Sequence, residues 1–171
     1  MVEKVFNVFE ANYEKYKTPP AKKEGEYKKT IRESISIFIG HGRSDQWRDL
    51  KDHLHEKHHF KVEAYEIGAR AGYTITDVLK EMINSSSFAL LVFTGENLDG
   101  EGKLHARENV IHETGLFQGK LGFRRAIVLL EEGCSEFSNV FGVHQIRFSK
   151  GNIKETFGDV LATIYREFGS R

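Results

Sequence analysis

This chain of 171 residues has one cysteine, Cys134, so no intramolecular disulfide is possible. That suits a cytoplasmic protein, and an ordinary loop thiol is the plainer reading of Cys134 than a catalytic one. An excess of charge of one sign is also missing, because 25 basic residues balance 25 acidic ones. No global field draws the chain to nucleic acid or to an anionic membrane, and no basic run interleaved with aromatics marks a strand-binding surface. No apolar stretch approaches the roughly 20 residues of a membrane span. The charged N-terminus lacks a signal-peptide core, so secretion is not expected. The length suits one domain with perhaps one appendage.

The appendage is expected at residues 1–33. Val2, Val5, Phe6, Phe9, Tyr13 and Tyr16 have helical spacing, Thr18-Pro19-Pro20 stops the helix, and the charged stretch from Ala21 to Glu33 reads as a linker. An amphipathic helix of this kind packs back on the domain, dimerises or contacts another protein. From Ser34 to Arg171 strands alternate with helices. Ile35–Ile39 reads as a strand, followed by a helix from about Asp45 with Trp47, Leu50 and Leu54 inward. Phe60–Tyr65 alternates, and a helix runs from about Thr76 to Asn84. Phe88–Phe93 and Ala126–Leu130 are continuous apolar runs, typical of strands covered on both faces. His144–Phe148 alternates again. A last helix aligns Ile153, Phe157, Val160, Leu161, Ile164 and Phe168, with Asn152 as its cap.

This alternation implies an α/β fold with a parallel sheet and right-handed crossovers. The continuous runs want central places and the alternating strands want edges, which the five-stranded order 2-1-3-4-5 provides. In that order the chain reverses between its first and third strands, so the loops after them flank a crevice. Those loops are Gly40–Ser44 and Thr94–Lys103, the second of which delivers the helix containing Glu113.

Several motifs point elsewhere and fail on context. His55-Glu56-Lys57-His58-His59 matches the zincin pattern, but it runs into the strand at Phe60 and no third ligand follows at a suitable spacing, so no metal is expected. Gly100-Glu101-Gly102-Lys103 lacks the hydroxyl residue and the first glycine of a phosphate loop. The first strand ends in Gly40-His41-Gly42 without the acids a receiver domain needs there. That loop has another use: Gly42 lets a ligand approach the backbone, Arg43 offers a fork for phosphate, and Ser44 opens a helix, which favours an anion. A plain turn capped by Ser44 or Asp45 explains it equally well. Arg70, between Gly68 and Gly72, is either a phosphate contact or a solvated loop tip.

Glu113 is the most informative residue. Ala106, Val110, Phe117 and Leu121 form one helical stripe with Thr114 beside it, and Glu113 falls on its edge. A carboxylate aimed inward is costly unless it is paired or has work to do. The residues alone leave open a structural pairing with Arg107 or Arg43, or an escape to solvent.

Phe38–Asp45, the run Ser86–Val92, and Ala106–Gly122 with its pattern N-V-x-x-E-x-G-x-F-x-G together resemble the bacterial TIR-like proteins. That family was first described as predicted nucleotide-binding proteins and includes TIR effectors of anti-phage cyclic-nucleotide signalling systems. The resemblance covers Ser34 to about Phe168 and implies a flavodoxin-like, three-layer TIR fold. It implies an NAD glycohydrolase that cleaves the nicotinamide–ribose bond, with NAD as substrate rather than cofactor and Glu113 as the catalytic carboxylate. By the same resemblance Gly42, Arg43 and Ser44 line the dinucleotide site, and the Glu66–Gly72 loop, with Arg70, shapes the site and mediates TIR–TIR packing into a homo-oligomer. Many such enzymes have an aromatic four residues before the glutamate. Here Asn109 stands there, able to hydrogen-bond the carboxylate or a ribose but not to stack a base, for which His41 or Trp47 are candidates. Effectors of this type usually have a sensor domain. No room for one is expected after Arg171, so control is expected from a partner protein or from the rest of a longer effector. The rival readings are a non-catalytic TIR module that binds nucleotide or assembles, and an enzyme like the nucleoside deoxyribosyltransferases.

Overall fold

The computed structural model describes residue 29 and residues 32–64, 74–136 and 145–169. The chain divides into two units, Met1–Thr30 and Ile31–Arg171, and the sheet and its helices belong to the second. The expected N-terminal helix over Met1–Lys17 lies outside the described residues, as do Arg70 and its loop.

Five parallel strands form the main sheet: β1 (Ser36–Gly40), β2 (Lys61–Ala64), β3 (Phe88–Phe93), β6 (Ala126–Glu131) and β8 (Ile146–Phe148). Their spatial order is β2-β1-β3-β6-β8, the 2-1-3-4-5 arrangement that the hydrophobic pattern implies. Both continuous apolar runs, β3 and β6, are buried along their whole length, whereas the edge strands β2 and β8 are partly open. Between and after them the chain forms helices α1 (Gln46–Asp52), α2 (Ile75–Ser85), α3 (Glu108–Leu121) and, following β8, α4 (Phe157–Phe168).

Side chains alternate across a strand, and this splits the core in two. Ile37, Ile39, Phe88, Leu90, Val92, Ile127 and Leu129 face one layer, where Trp47, Leu50 and Leu54 from the first helical segment and Val160 and Ile164 of α4 meet them. Phe38, Ala89, Leu91, Phe93, Ala126, Val128 and Leu130 face the other, against Val78 and Met82 of α2 and Val110 and Phe117 of α3. Register keeps like faces together, since Ile39 pairs with Leu90 and Leu90 with Ile127. Phe38 and Phe117 stack with ring centroids 4.2 Å apart, which seats α3 directly against β1.

The structure adds detail that periodicity misses. α1 continues as a π-helical turn, His53–Lys57, and His59 then takes a positive φ of 58°. His55 and His59 of the zincin-like motif are therefore not a pair on one α-helical face, and His55 Nδ1 lies 3.1 Å from the Phe60 carbonyl. Asn152 precedes a 3₁₀ turn, Ile153–Thr156, before α4, and its side chain donates to Glu155 rather than capping backbone amides. The Thr94–Lys103 segment is a loop only in part. β4 (Asn97–Leu98), β5 (Leu104–His105) and β7 (Cys134–Ser135) make a small second sheet in that order. Two-residue strands leave no periodic signal. Among the described residues no helix is long and apolar enough to cross a membrane.

Neighbouring residues of α3 provide a test of this packing. Phe117 is fully buried and Leu116 is 38% exposed. Phe117→Ala is expected to lower unfolding free energy by about 3–5 kcal/mol, through lost burial and a cavity under β1. Leu116→Ala should cost about 1 kcal/mol or less. Chemical denaturation of both variants measures the difference.

Candidate functional site

β1 and β3 are neighbours, yet the connections leaving them depart to opposite faces, and the crevice between their C-terminal ends is the place this topology leaves open. Three carboxylates stand around it, with different hydrogen-bond partners.

Glu113 reaches the crevice from the second turn of α3. Val110, Thr114 and Phe117 pin that helix to the sheet, so the neighbouring Glu113 is also buried, at 7% exposure. Its Oε2 points at Gly40, where an added Cβ would lie only 2.6 Å away. Gly40 ends β1 with no side chain because the carboxylate occupies that space. Oε2 has no hydrogen-bond partner among the described residues. Neither Arg107 nor Arg43 forms an ion pair with Glu113 among the described residues, so the structural-pairing reading loses its partners. Burial pushes the Glu113 carboxyl up to about 7, with the charge of Arg107 pulling in the other direction without overcoming it.

Glu96 is the opposite case. It follows β3, and its backbone N–H donates to the His105 carbonyl at 2.9 Å, so the small sheet fixes it over the first-strand loop. Arg43 N donates to both of its oxygens, at 2.7 and 2.9 Å. Ser44 N and Thr94 Oγ1 donate to Oε1 at 3.2 and 2.7 Å. An added Cβ at Gly42 would collide with the same carboxylate, which explains the second glycine of Gly40-His41-Gly42. Burial opposes ionisation of Glu96, but the bonds from Thr94, Arg43 and Ser44, with the charge of Arg107, outweigh it and hold the carboxyl below its usual range.

Glu131, buried at the end of β6, ties loops together. Gln46 Nε2 and Gly151 N donate to Oε1 at 2.8 and 3.0 Å, and Gly95 N donates to Oε2 at 3.2 Å. Gln46 Oε1 in turn accepts from Ile153 N at 3.2 Å.

Glu113 Oε2 thus sits against Gly40, while Gly42, Arg43 and Ser44, next along the same segment, are engaged by Glu96. Asn109 lies one turn before Glu113 but is exposed, and it makes no hydrogen bond to the carboxylate. The Trp47 ring is not free to stack a base, because it is buried under His41, 3.9 Å away, with the Arg48 guanidinium 4.6 Å from its centroid. Cys134 is buried on β7, where burial and then the charge of Glu131 push its thiol up to about 11, so it stays protonated at neutral pH. Sequence reading passed over Glu96 and Glu131. The signal for Glu131 was present, since an acid ending a fully apolar run raises the same question as Glu113.

A family model described as CAP12/Pycsar effector protein, TIR domain, matches residues 36–150. The chain belongs to this family. That family is one of bacterial TIR domains in anti-phage signalling. The Pycsar effector protein BcPycTIR of Burkholderia cepacia is 31% identical over 108 residues, a match covering 58% of this chain and 35% of the relative. The chain thus spans about a third of that relative's length. The matched region of the TIR domain includes the whole crevice, from Gly40 through Glu96 and Glu113 to Glu131.

The desolvated carboxylate makes a stability prediction for this TIR domain. The folded-state pKa of Glu113 is raised above its unfolded value, so its protonated form is tolerated and its ionised form is penalised. The penalty is absent below the unfolded pKa and grows as pH rises toward about 7. Glu113→Gln should therefore stabilise the domain by up to about 3 kcal/mol above pH 7, and by little at pH 4. Melting curves of both proteins across that range provide the measurement.

Proposed function

We propose that this TIR domain is an NAD glycohydrolase in which Glu113 is the catalytic residue, and that it acts as an anti-phage effector after self-association. The observation supporting this most directly is the buried, unpartnered Oε2 of Glu113 at the switch-point crevice. An unsatisfied buried carboxylate is expensive, and a native protein keeps one where chemistry needs it.

In the proposed reaction the bond between ribose C1′ and the nicotinamide nitrogen breaks, and its electron pair leaves with nicotinamide. The leaving base is neutral, so no strong general acid is required. The ribosyl group becomes an oxocarbenium-like cation, which the ionised Glu113 stabilises electrostatically or captures briefly. Water adds at C1′ and gives up one proton, leaving ADP-ribose. If a nitrogen of the adenine adds instead, the product is cyclic. The positive charge of the nicotinamide ribosyl group itself favours the ionised carboxylate once substrate is bound. Gly42, Arg43 and Ser44 would hold the dinucleotide, and Asn109, at the exposed rim, would reach a ribose. NAD is the substrate, and the step uses no separate cofactor. Self-association through TIR–TIR contacts, and control by a sensor domain or partner protein, complete the proposal.

Incubating concentrated protein with NAD and following nicotinamide release tests it. Glu113→Ala and Glu113→Gln should each reduce the rate by about a hundredfold or more. Wild-type kcat/KM should rise with pH and level off above an apparent pKa near 7, because the free enzyme must ionise Glu113. Turnover that survives either substitution would remove Glu113 from the mechanism. A wild-type protein that binds nucleotide or forms concentration-dependent oligomers, yet releases no nicotinamide when assembly is forced, would favour the non-catalytic module.

A further inference from the structure

We propose that Glu96 is an internal stand-in for a phosphate group, and that a nucleotide diphosphate enters the crevice by displacing it from the Arg43 and Ser44 amides. The inference rests on the reading of this crevice as a nucleotide site and adds to it a residue that competes with the ligand.

The geometry points to an exchange. The Glu96 carboxylate gathers Arg43 N, Ser44 N and the Thr94 hydroxyl on one oxygen, at 2.7, 3.2 and 2.7 Å. Adjacent backbone N–H groups converging on one anionic oxygen form the kind of concavity that also binds phosphate, and a phosphate oxygen has the same appetite for donors as a carboxylate oxygen. The Arg43 amide lies in an exposed setting, so another anion has a route to it. Gly42 leaves the approach open, since an added Cβ would strike the bound carboxylate. The second, independent sign of a ligand is Glu113, whose Oε2 is buried without a partner beside Gly40, the last residue of β1 before that loop. The two carboxylates thus flank one three-residue turn, Gly40-His41-Gly42. One accepts several hydrogen bonds, while the buried Oε2 of the other accepts none among the described residues. Glu96 is held by bonds to a loop and a hydroxyl rather than by a salt bridge, and a diphosphate brings more charge and more acceptor oxygens than the single carboxylate it replaces.

Calorimetric titration of the full chain with inorganic pyrophosphate and with ADP-ribose, alongside ¹⁵N amide shifts, tests the exchange. In the wild type both probes should bind weakly, and saturation should move the Arg43 and Ser44 amide resonances. Glu96→Ala frees the amides and should tighten pyrophosphate and ADP-ribose by roughly tenfold or more. Glu96→Gln keeps one acceptor oxygen without the charge and should fall between the two. Unchanged or weaker binding in a folded Glu96→Ala overturns the proposal. So does saturation of the wild type with the Arg43 and Ser44 amides unmoved, a result that stands even where the variants fail to fold. Failure of the enzymatic reading looks different: nicotinamide is not released, while pyrophosphate still tightens on Glu96→Ala.

Discussion

The Oε2 atom of Glu113 stands where a side chain at Gly40 would begin, and that close approach constrains everything around it. β1 has to end in glycine. α3 has to lie close against β1, which the stacked Phe38 and Phe117 rings enforce. Leu91 of β3 presses on the same point from the neighbouring strand, with its Cδ1 2.7 Å from the position a Gly40 Cβ would take. The carboxylate is thereby largely buried, its Oε2 is left without a hydrogen-bond partner among the described residues, and its proton affinity rises into the neutral range. Folding energy from two apolar layers is what holds so unfavourable a group in place.

The other two carboxylates at this end of the sheet show how the same residue type serves a different purpose. Glu131 and Glu96 receive several hydrogen bonds each and join loops that would otherwise be independent. Glu131 connects the segment after β3 to α1 and to the turn after β8, and Glu96 connects it to the turn after β1. Satisfied polar networks of this kind rigidify their surroundings, whereas an unsatisfied member stores strain. The crevice is a stiff frame around one strained group. The frame lies within the part of the chain that matches the CAP12/Pycsar effector TIR-domain family, and the chemistry proposed for it follows from the strained group.

Much of the architecture was legible in the residues because it depends on local periodicity. Phe88–Phe93 and Ala126–Leu130 read as covered strands and are the central ones, and the alternating segments before α2 and α4 are the edges. Glu113 stood out for the same reason: its place on the edge of an apolar helical stripe is set by the 100° step of the helix. The π-helical turn after Asp52, the two-residue strands and the absence of a side-chain cap at Asn152 were not legible. None of them repeats often enough to leave a pattern.

The site divides along the same line. Sequence alone determined which turn and which helix meet at the crevice, since strand order follows from hydrophobicity and the crevice follows from strand order. It could not determine what the glycines of that turn are for. Gly40 and Gly42 look like generic room for a ligand, yet each accommodates a carboxylate from a distant segment of this same chain. Nor could it say that Glu113 would be left without the arginine that might have paired it, or that Trp47 would be covered by His41 and Arg48. The contacts of Gly40 with Glu113 and of Gly42 with Glu96 join residues more than fifty positions apart, and even the cover over Trp47 depends on how its loop folds, because a side chain's partners are chosen by the space the whole fold leaves open.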